Sequence, residues 1–574
     1  MCFFSQRPMY LCYNLEIKPY LCISIEYCMK KIRIIILLIG ICLHINAQIP
    51  KHEVRAVWLT TIGGLDWPHR YSYNGNGTES QKQELCTILD QYKKAGINTV
   101  LLQTRIRGTV IYPSQYEPWD GCLSGKPGTS PGYDALQFAV DECHKRGMEI
   151  HAWVVTMPVG KWNAKGCAQL RKRFPKLIKK IGEDGYMNPE DAQTARYLAD
   201  ICEEITRNYD IDGIHLDYIR YPETWKLKVN KTQGRQYITN IVKAIHDKVK
   251  QLKPWVKMSC SPIGKFDDLS RYWSHGWYAY SKGCQDAQGW LRDGLMDELF
   301  PMMYFKGDQF YPFALDWAEQ SYGKIVAPGL GIYMLSPREG NWPLSTITQE
   351  MEVLRQQGLG HTYFRGKFLT DDTKGIFGFA KRFCETPALI PPMTWESATP
   401  PTPPMSLTIQ GGSLSWEGSV NQSGAPYILY NVYCSHQYPV DINDARNLIA
   451  TRLTNTQLHF SKNIEDKYFA ITAMDRYGNE SAPLQSYQPT PTYSPKAELL
   501  TCNGNQVELP EKGSVLDADM IVIETMQGKP VAVLPYRGKT ANVADIKEGF
   551  YVMKSLNKKG RTHRLGFFMI KRHE

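Results

Sequence analysis

Hydrophobic residues between positions 53 and 387 alternate between two patterns, a short strand-like run and a longer amphipathic segment. The strand-like runs are continuously apolar or alternate with period two, which is typical of β-strands. We predict eight strands, at 54–61, 98–105, 149–156, 213–222, 257–263, 297–305, 325–333 and 361–368. We predict the helices that follow them at 78–95, 133–146, 189–209, 232–253, 285–292, 308–322, 345–357 and 371–384. Eight β-then-α units predict an α/β protein with a (β/α)8 TIM barrel over residues 48–390, and the long loops after the strands disfavour the alternative, a doubly wound sheet.

The periodicity changes to two beyond a proline-rich linker at residues 391–405. This change predicts a first small all-β domain at 406–488 and a terminal β-sandwich at 489–574. Residues 468–481, from Tyr468 to Ser481, resemble the F strand and following turn of a fibronectin type III domain. In the terminal segment, 548–553 together with Gly560 and Lys571-Arg572 resemble the C-terminal sorting domain of the type IX secretion route, and a plain β-sandwich is the alternative.

The N-terminal segment has the features of a secretory signal peptide. A basic start at 29–33 precedes an apolar run at 34–43, and Ile45-Asn46-Ala47 fits a cleavage site. The apolar run is too short to span a bilayer, which needs about 20 residues. We therefore expect translation to start at Met29, so that residues 1–28 result from a wrongly assigned start codon. We expect residues 1–47 to be absent from the mature protein. The mature protein is then exported to the periplasm, the outer-membrane surface or the extracellular space, and it has no transmembrane segment.

Composition restricts the classes of partner and cofactor. The net charge of +10 is modest for 574 residues, and we expect it to be spread along the chain. It does not indicate nucleic-acid binding, although it permits an acidic polymer. The 15 cysteines have no CxxC spacing outside the N-terminal segment, so a zinc ribbon is not expected. We expect a monomer that uses no cofactor and no metal.

Polar side chains recur at the predicted strand ends, where a TIM barrel keeps its active site. By strand alternation, one mouth would receive side chains from Gln103, Arg105, His151, Trp153, His215, Asp217, Met302, Tyr304 and Tyr333. The following loops add carboxylates beside aromatic residues, namely Asp66 with Trp67, Glu117 with Trp119 and Glu339 with Trp342. Trp162, Trp225, Trp273 and Trp277 lie in the same loops. Aromatic rings can stack on sugar rings and carboxylates can bind hydroxyls, so this pattern favours carbohydrate, although each Trp alone could equally be a buried loop anchor.

Several of these motifs, in this order, resemble the glycosyl-hydrolase-like-10 family. They are Glu53-Val54-Arg55-Ala56-Val57-Trp58, Leu102-Gln103-Thr104-Arg105, Tyr112-Pro113-Ser114, Glu117-Pro118-Trp119, His151-Ala152-Trp153 and Asp212-Gly213-Ile214-His215-Leu216-Asp217-Tyr218. The resemblance covers residues 50–385. It implies a TIM barrel and a glycosidase, with the glycan strands of peptidoglycan as one known type of substrate.

Glycoside hydrolysis needs two carboxyl groups, one acting as an acid and one as a nucleophile or base. Our first catalytic candidate is Asp217, kept ionised by Arg220 or Arg105, and the second is Glu339, made acidic by desolvation beside Trp342. Glu117 and Asp66 are alternatives for the second role. A fold-stabilising ion pair for Asp217 and a solvated pairing of Glu339 with Arg338 are the non-catalytic interpretations. We predict that substrate is bound by Asp66, Trp67, Arg105, Glu117, Trp119, His151, Trp153, His215, Arg220, Tyr304, Tyr333 and Trp342.

Two other functions remain open. A barrel that binds glycan without cleaving it would use Trp67, Trp119 and Trp342 only for stacking. A metal-dependent amide or acetyl hydrolase would need His151, His215 and Asp217 as ligands, and the sequence has no HxH or HExxH motif to support it.

Overall fold

The computed structural model describes residues 49–571, except 74, 275, 411, 461–466, 487–498, 510–517, 537 and 558–559. The predicted start-site error and signal peptide, residues 1–47, lie outside the described residues. In the described part of the chain, no helix is both long enough and apolar enough to cross a bilayer.

Parallel strands form the core of residues 50–390. The strands are, in chain order, β1 (Arg55–Leu59), β2 (Thr99–Arg105), β3 (Glu149–Val155), β4 (Pro158–Lys161), β5 (Ile178–Ile181), β6 (Asp184–Met187), β7 (Gly213–Asp217), β8 (Lys257–Cys260), β9 (Glu298–Leu299), β10 (Met302–Met303), β11 (Ile325–Val326), β12 (Gly329–Leu330) and β13 (His361–Tyr363). Ten of them pair in the order β10-β12-β13-β1-β2-β3-β7-β8-β9-β11, and β4, β6 and β5 form a separate sheet.

Two barrel strands are interrupted, and the interruptions explain why ten strand segments make a ring of eight. Pro301 separates β9 from β10, and Pro328 separates β11 from β12, because proline has no N–H to donate to a neighbouring strand. The backbone N–H of Gly329 donates to the Pro301 carbonyl at 2.7 Å, so the sixth and seventh barrel strands stay paired across the breaks. The predicted (β/α)8 class is therefore confirmed.

Amphipathic helices surround this ring. They are α1 (Thr78–Lys94), α2 (Gly121–Ser124), α3 (Ala135–Lys145), α4 (Lys165–Arg173), α5 (Ala192–Asn208), α6 (Lys231–Leu252), α7 (Ala287–Arg292), α8 (Tyr311–Glu319), α9 (Leu344–Gln356), α10 (Gly366–Thr370) and α11 (Ile376–Phe383). The side chains of Asp134, Asp191 and Asn230 each accept a hydrogen bond from a backbone N–H two or three positions later, which fixes the starts of α3, α5 and α6.

Aromatic side chains fill the interior of the ring. Phe300 lies at 6.1 Å from Trp58 and at 5.3 Å from His215, centroid to centroid, in edge-to-face contacts. Trp153 contacts His215 in the same way at 6.5 Å. These rings make a solid floor, so any ligand site lies above them at the carboxyl ends of the strands.

An insertion after β3 carries α4 and the small antiparallel sheet of β4, β5 and β6. Its apolar side is covered, since Val159, Cys167, Leu170 and Ile178 are buried. Gly166 lies so close to the Gly108 carbonyl of the β2 loop that a side chain would not fit there. The insertion therefore packs against the loops at the carboxyl end of the barrel.

The C-terminal residues form β-sheets, as predicted. The strands are β14 (Met405–Gln410), β15 (Ser413–Glu417), β16 (Leu429–Ser435), β17 (Leu448–Leu453), β18 (Gln457–His459), β19 (Tyr468–Met474), β20 (Leu484–Ser486), β21 (Cys502–Asn503), β22 (Gln506–Glu508), β23 (Ala518–Thr525), β24 (Pro530–Pro535), β25 (Thr540–Asn542), β26 (Gly549–Asn557) and β27 (Thr562–Ile570). The sheets β14-β15-β18 and β17-β16-β19-β20 enclose an apolar core that includes Trp416, Val432 and Ile471. We call them the first sandwich; its fibronectin type III identity and the sorting role of the last strands stay predictions.

Buried ion pairs join the first sandwich to the amino-terminal end of the barrel. Arg452 of β17 donates to Glu149 at 2.9 Å and to Asp212 at 2.6 Å, and Arg476 also donates to Asp212, at 3.1 Å. Lys257 of β8 binds the same Glu149 at 2.8 Å. The segment between the two modules is itself packed, because Met393 is buried and Trp395 donates to Asp297 at 2.7 Å.

Glu350 of α9 is a buried carboxyl group with no hydrogen-bond partner among the described residues, and burial raises its pKa to about 9. The folded protein keeps this proton between about pH 4.5 and pH 9 while the unfolded chain loses it, so stability falls as the pH rises through this range. We expect Glu350→Gln to stabilise the protein by about 1 kcal/mol or more at pH 8 and by much less at pH 5.

The check is the free energy of unfolding of both proteins in urea at pH 5, 7 and 8. Glu352→Gln is the matched control, because Glu352 is exposed on the same helix. A stability difference for Glu350→Gln that does not grow with pH would contradict the raised pKa.

Candidate functional site

Asp217 is the last residue of β7 and lies at the carboxyl end of the barrel, as predicted. Its Oδ1 accepts hydrogen bonds from the Ser261 hydroxyl at 2.9 Å and from the Tyr218 N–H at 2.8 Å. Its Oδ2 accepts one from the Trp153 indole N–H at 3.1 Å. The side chain is held in one orientation, and the residue is 6% exposed.

Burial raises the pKa of Asp217, although its three hydrogen bonds and the charge of Arg220 act in the opposite direction. Burial therefore outweighs the pKa-lowering effect that the sequence predicted for Arg220, and Arg105 pairs with Glu117 at 2.6 Å. Arg220 instead pairs with Glu223 at 2.9 Å. A carboxyl group whose pKa is raised by burial is suited to act as a general acid.

His215 lies below Asp217 in the aromatic floor and does not face the mouth. Its Nε2 accepts from the Trp58 indole N–H at 3.2 Å, so the ring proton of the neutral histidine is on Nδ1, which lies 3.1 Å from the Ser259 hydroxyl. Burial, together with the nearby His151, lowers the pKa of His215 well below its usual value. His151 is also fully buried. The prediction that these two histidines bind substrate is corrected to a structural role.

The metal-site alternative needs His151, His215 and Asp217 to converge. Both ring nitrogens of His215 instead lie within hydrogen-bond distance of Trp58 and Ser259, and Asp217 is bound by Trp153 and Ser261. Within the described ranges, no group of three His, Cys, Asp or Glu side chains is arranged to hold a metal ion. The geometry gives this alternative no support.

Two tyrosines form a wall beside Asp217. Burial and the charge of Asp217 raise the pKa of Tyr304 well above its usual value, and Tyr333 adds to the shift. The Tyr304 and Tyr333 rings meet edge to face at 5.7 Å, and Phe364 stacks on Tyr304 at 5.1 Å. Both tyrosines follow shortened strands: β10 ends at Met303, and Tyr333 lies in a 3-10 turn (Ile332–Leu335) instead of the predicted strand.

Glu339 lies on the loop after β12, near Tyr333. Its charge contributes to the raised pKa of Tyr333, after the larger effect of burial. Tyr304 and Tyr333 therefore connect the surroundings of Asp217 to those of Glu339. The predicted desolvation of Glu339 by Trp342 is wrong, because Glu339 is exposed while Trp342 itself is 7% exposed and cannot offer a stacking face.

Asp66 and Trp67 belong to the fold, so the prediction that they contact substrate is wrong. Asp66 is buried, pairs with Arg365 and accepts a hydrogen bond from the Thr60 N–H at 2.8 Å. Trp67 is fully buried and donates to the Gln81 carbonyl at 2.9 Å.

Arg105 and Glu117 form a second structural pair. The Arg105 guanidinium donates to Glu117 at 2.6 Å, and the Tyr197 hydroxyl of α5 donates to the same carboxylate at 3.2 Å. The register between β2 and β3 shifts between Gln103 and Arg105, and this bulge turns Arg105 from the barrel interior toward the helices. The predicted substrate-binding roles of Arg105 and Glu117, and of Glu117 as the second acid, are therefore wrong. Trp119 on the same loop is half-buried and packs against the core.

The sequence predicted Trp273 among the aromatic residues of these loops, but it did not predict a role at the mouth for Tyr71, Tyr73, Tyr218 or Ser261. Tyr218 has a left-handed backbone (φ 53°), which turns its ring outward, and the Arg220 guanidinium lies 4.8 Å from that ring. Trp273 in the loop after β8 is 68% exposed, and Tyr71 and Tyr73 are exposed in the loop after β1. Ser261 lies within the predicted strand 257–263, one residue after the observed end of β8, and could have been identified from the alternation of that strand. The exposure of the aromatic residues has no signal in the sequence.

Residues 53–335 match the family model described as Glycosyl hydrolase-like 10. The barrel is a glycosyl hydrolase-like 10 domain. The predicted family is thus confirmed for this part of the chain, and the match includes Asp217, Ser261 and Tyr304.

Curated relatives also match this chain, in one case beyond the glycosyl hydrolase-like 10 domain. Glycosyl hydrolase YngK of Bacillus subtilis (strain 168) is 28% identical over 489 residues, which are 76% of this chain and 93% of that protein. Glycosyl hydrolase DigH of Escherichia coli (strain K12) is 29% identical over 295 residues, 45% of this chain and 67% of that protein. Among solved structures, alpha-L-fucosidase isoenzyme 2 from Paenibacillus thiaminolyticus has a TM-score of 0.40 at 14% identity, and the match covers 59% of this chain and 49% of that one.

Proposed function

We propose that this protein is an exported glycoside hydrolase that cleaves glycosidic bonds in a polysaccharide, with Asp217 as the proton donor. One observation carries the proposal: a carboxyl group with a raised pKa is held by three hydrogen bonds at the carboxyl end of a TIM-barrel strand. The family match and the names of the relatives, glycosyl hydrolases YngK and DigH, support the reaction class.

In this mechanism protonated Asp217 donates its proton to the glycosidic oxygen as the bond from that oxygen to the anomeric carbon breaks. The leaving sugar departs with a new hydroxyl group, and Asp217 is left as a carboxylate. The donors Trp153, Ser261 and the Tyr218 N–H already point at this carboxyl group, so they stabilise the charge that forms on it. Water then supplies the hydroxyl group at the anomeric carbon.

Glu339 is our candidate for the second carboxylate. It is exposed, so water can reach it, and it lies next to Tyr333 on the wall that begins at Asp217. These two features suit a base that takes a proton from the attacking water, whereas the role of acid that the sequence predicts for Glu339 requires burial.

We expect Glu339→Gln to lower kcat by about 100-fold or more, the usual range for loss of general base catalysis, with little change in the melting temperature. The measurement is release of new reducing ends from a polysaccharide. Glu223→Gln is the matched control, because Glu223 is also an exposed carboxylate of the mouth but already pairs with Arg220. If the control loses activity and Glu339→Gln keeps it, Glu223 takes the role proposed for Glu339.

The substrate test uses a panel of polysaccharides, beginning with peptidoglycan glycan strands freed of their peptides. Products are separated by mass, so that shortened chains, released acetate and unchanged substrate are distinguished. Chain shortening that persists in a chelator supports the proposal. Binding without chain shortening would favour a protein that only binds glycan. Release of acetate, or of products of amide-bond cleavage, would favour a metal-dependent amide or acetyl hydrolase.

A further inference from the structure

The insertion after β3 is rich in positive charge. Residues 158–187 contain eight lysines and arginines but only two carboxylates, Glu183 and Asp184. The formal net charge of this short segment is therefore 8 − 2 = +6.

The insertion is a folded platform that displays these charges. Its apolar residues Val159, Cys167, Leu170 and Ile178 are buried, and the lysines at positions 161, 165, 172, 176, 179 and 180 are exposed. Lys172 and Lys176 have no carboxylate within ion-pair distance among the described residues. Lys161 pairs with Asp184 at 3.1 Å, and Lys179 and Lys180 form longer pairs with Glu190 and Glu183 at 3.9 Å. Much of the positive charge is thus available to a ligand.

Aromatic rings lie among the cations. The Arg171 guanidinium lies 4.0 Å from the centre of the half-buried Trp162 ring, and the Lys179 ammonium lies 5.4 Å from Trp225 in the loop after β7. Rings that can stack on sugars and cations that can bind anionic groups therefore share one surface.

This surface is continuous with the mouth. A Cβ placed on Gly160 of β4 would lie 3.3 Å from the Arg107 side chain in the loop after β2. Glu223 pairs at 2.9 Å with Arg220, whose guanidinium lies 4.8 Å from the ring of Tyr218, the neighbour of Asp217. Glu223 and Trp225 both lie in the loop that follows Asp217. A polymer bound on the insertion would therefore reach the carboxyl group.

We propose that the insertion of residues 158–187 is a binding site for a polysaccharide that carries negative charges along its length, and that it delivers this polymer to Asp217. The identity of the polymer as a glycan rests on the proposed function. A basic surface with aromatic rings also suits single-stranded nucleic acid, but its position beside the mouth of a glycosyl hydrolase-like domain favours a glycan.

The test measures binding of three probes to the full-length mature chain at low salt: polygalacturonate, which carries carboxylates, dextran sulfate, and neutral dextran. We expect the protein to bind at least one charged polymer at least about tenfold more tightly than dextran, and the preference to fall as salt is added. The double variant Lys172→Glu, Lys176→Glu should lose most of this preference. The variant Lys381→Glu, Arg382→Glu changes the net charge equally on another exposed surface and should retain it.

Preference for polygalacturonate identifies carboxylates as the recognised groups, and preference for dextran sulfate identifies sulfate-like groups. Equal losses in the two double variants, no preference for charged polymers, or equally tight binding of a single-stranded oligonucleotide would overturn the inference. If the protein binds charged polymers but cleaves no glycan, the inference about the insertion stands and the proposed function is rejected. If the protein cleaves glycan but does not prefer charged polymers, the proposed function stands and the inference is rejected.

Discussion

Replacing Asp217 with Asn is expected to lower the rate of glycan cleavage by about 1,000-fold, within the range for loss of a general acid. Asparagine has nearly the same shape but has no proton to give to the glycosidic oxygen. Its oxygen can still accept from Ser261 and the Tyr218 N–H, and only the bond from Trp153 is lost. We therefore expect the melting temperature to fall by only a few degrees. Reducing-end release and thermal unfolding of the same sample check both parts, and wild-type turnover in the variant would reject Asp217 as the acid.

Ser261→Ala gives the matched test of the proton-donor role. Removing this hydrogen bond should raise the pKa of Asp217 further, because the bond to Ser261 opposes the effect of burial. An acid works only while protonated, so activity is lost as the pH rises through its pKa. The alkaline limb of the pH profile should therefore move to higher pH in Ser261→Ala. A shift to lower pH would contradict the assignment of Asp217 as the acid.

The largest expected effect on stability is that of Arg452→Met. This substitution removes the cation that the first sandwich places between Glu149 and Asp212, whose carboxylates are both buried. Although burial raises the pKa of Glu149, the charges of Lys257 and Arg452 outweigh it and bring the pKa to about 2. Breaking such a buried pair costs about 3–5 kcal/mol, and Lys257 and Arg476 remain as partial compensation. We expect a loss of about 3 kcal/mol in the free energy of unfolding in urea.

Arg446→Met is the control for this measurement. Arg446 lies in the same sandwich and pairs with Asp444 at 2.7 Å, but its side chain is largely exposed. Exposed pairs contribute less than about 1 kcal/mol, so this variant should unfold nearly as the wild type does. If Arg452→Met lowered the free energy of unfolding as little as Arg446→Met does, the contact between the modules would add nothing to stability.

The sequence predicted the barrel because eight alternating β-then-α units are typical of that fold, and it predicted Asp217 because barrel enzymes place acidic side chains at strand ends. It could not predict that the bulge before Arg105 turns this side chain away from the interior, since one extra residue in a strand leaves the apolar pattern almost unchanged. It also could not separate Trp67, which is buried, from Trp273, which is exposed, because both lie in polar loops after strands. The sequence predicted a lowered pKa for Asp217, whereas its pKa is raised, because the shift depends on burial in the folded structure.

The ion pairs between Arg452, Glu149 and Asp212 also constrain how the two modules can be recombined. A barrel of this kind grafted onto a different partner would keep two acidic side chains at its closed end with too few cations to neutralise them. A workable graft must therefore bring an arginine at the same place or replace both acids with uncharged residues in the same step. These three positions should accordingly change together when related chains diverge, whereas Asp217 at the opposite end can be conserved independently of them.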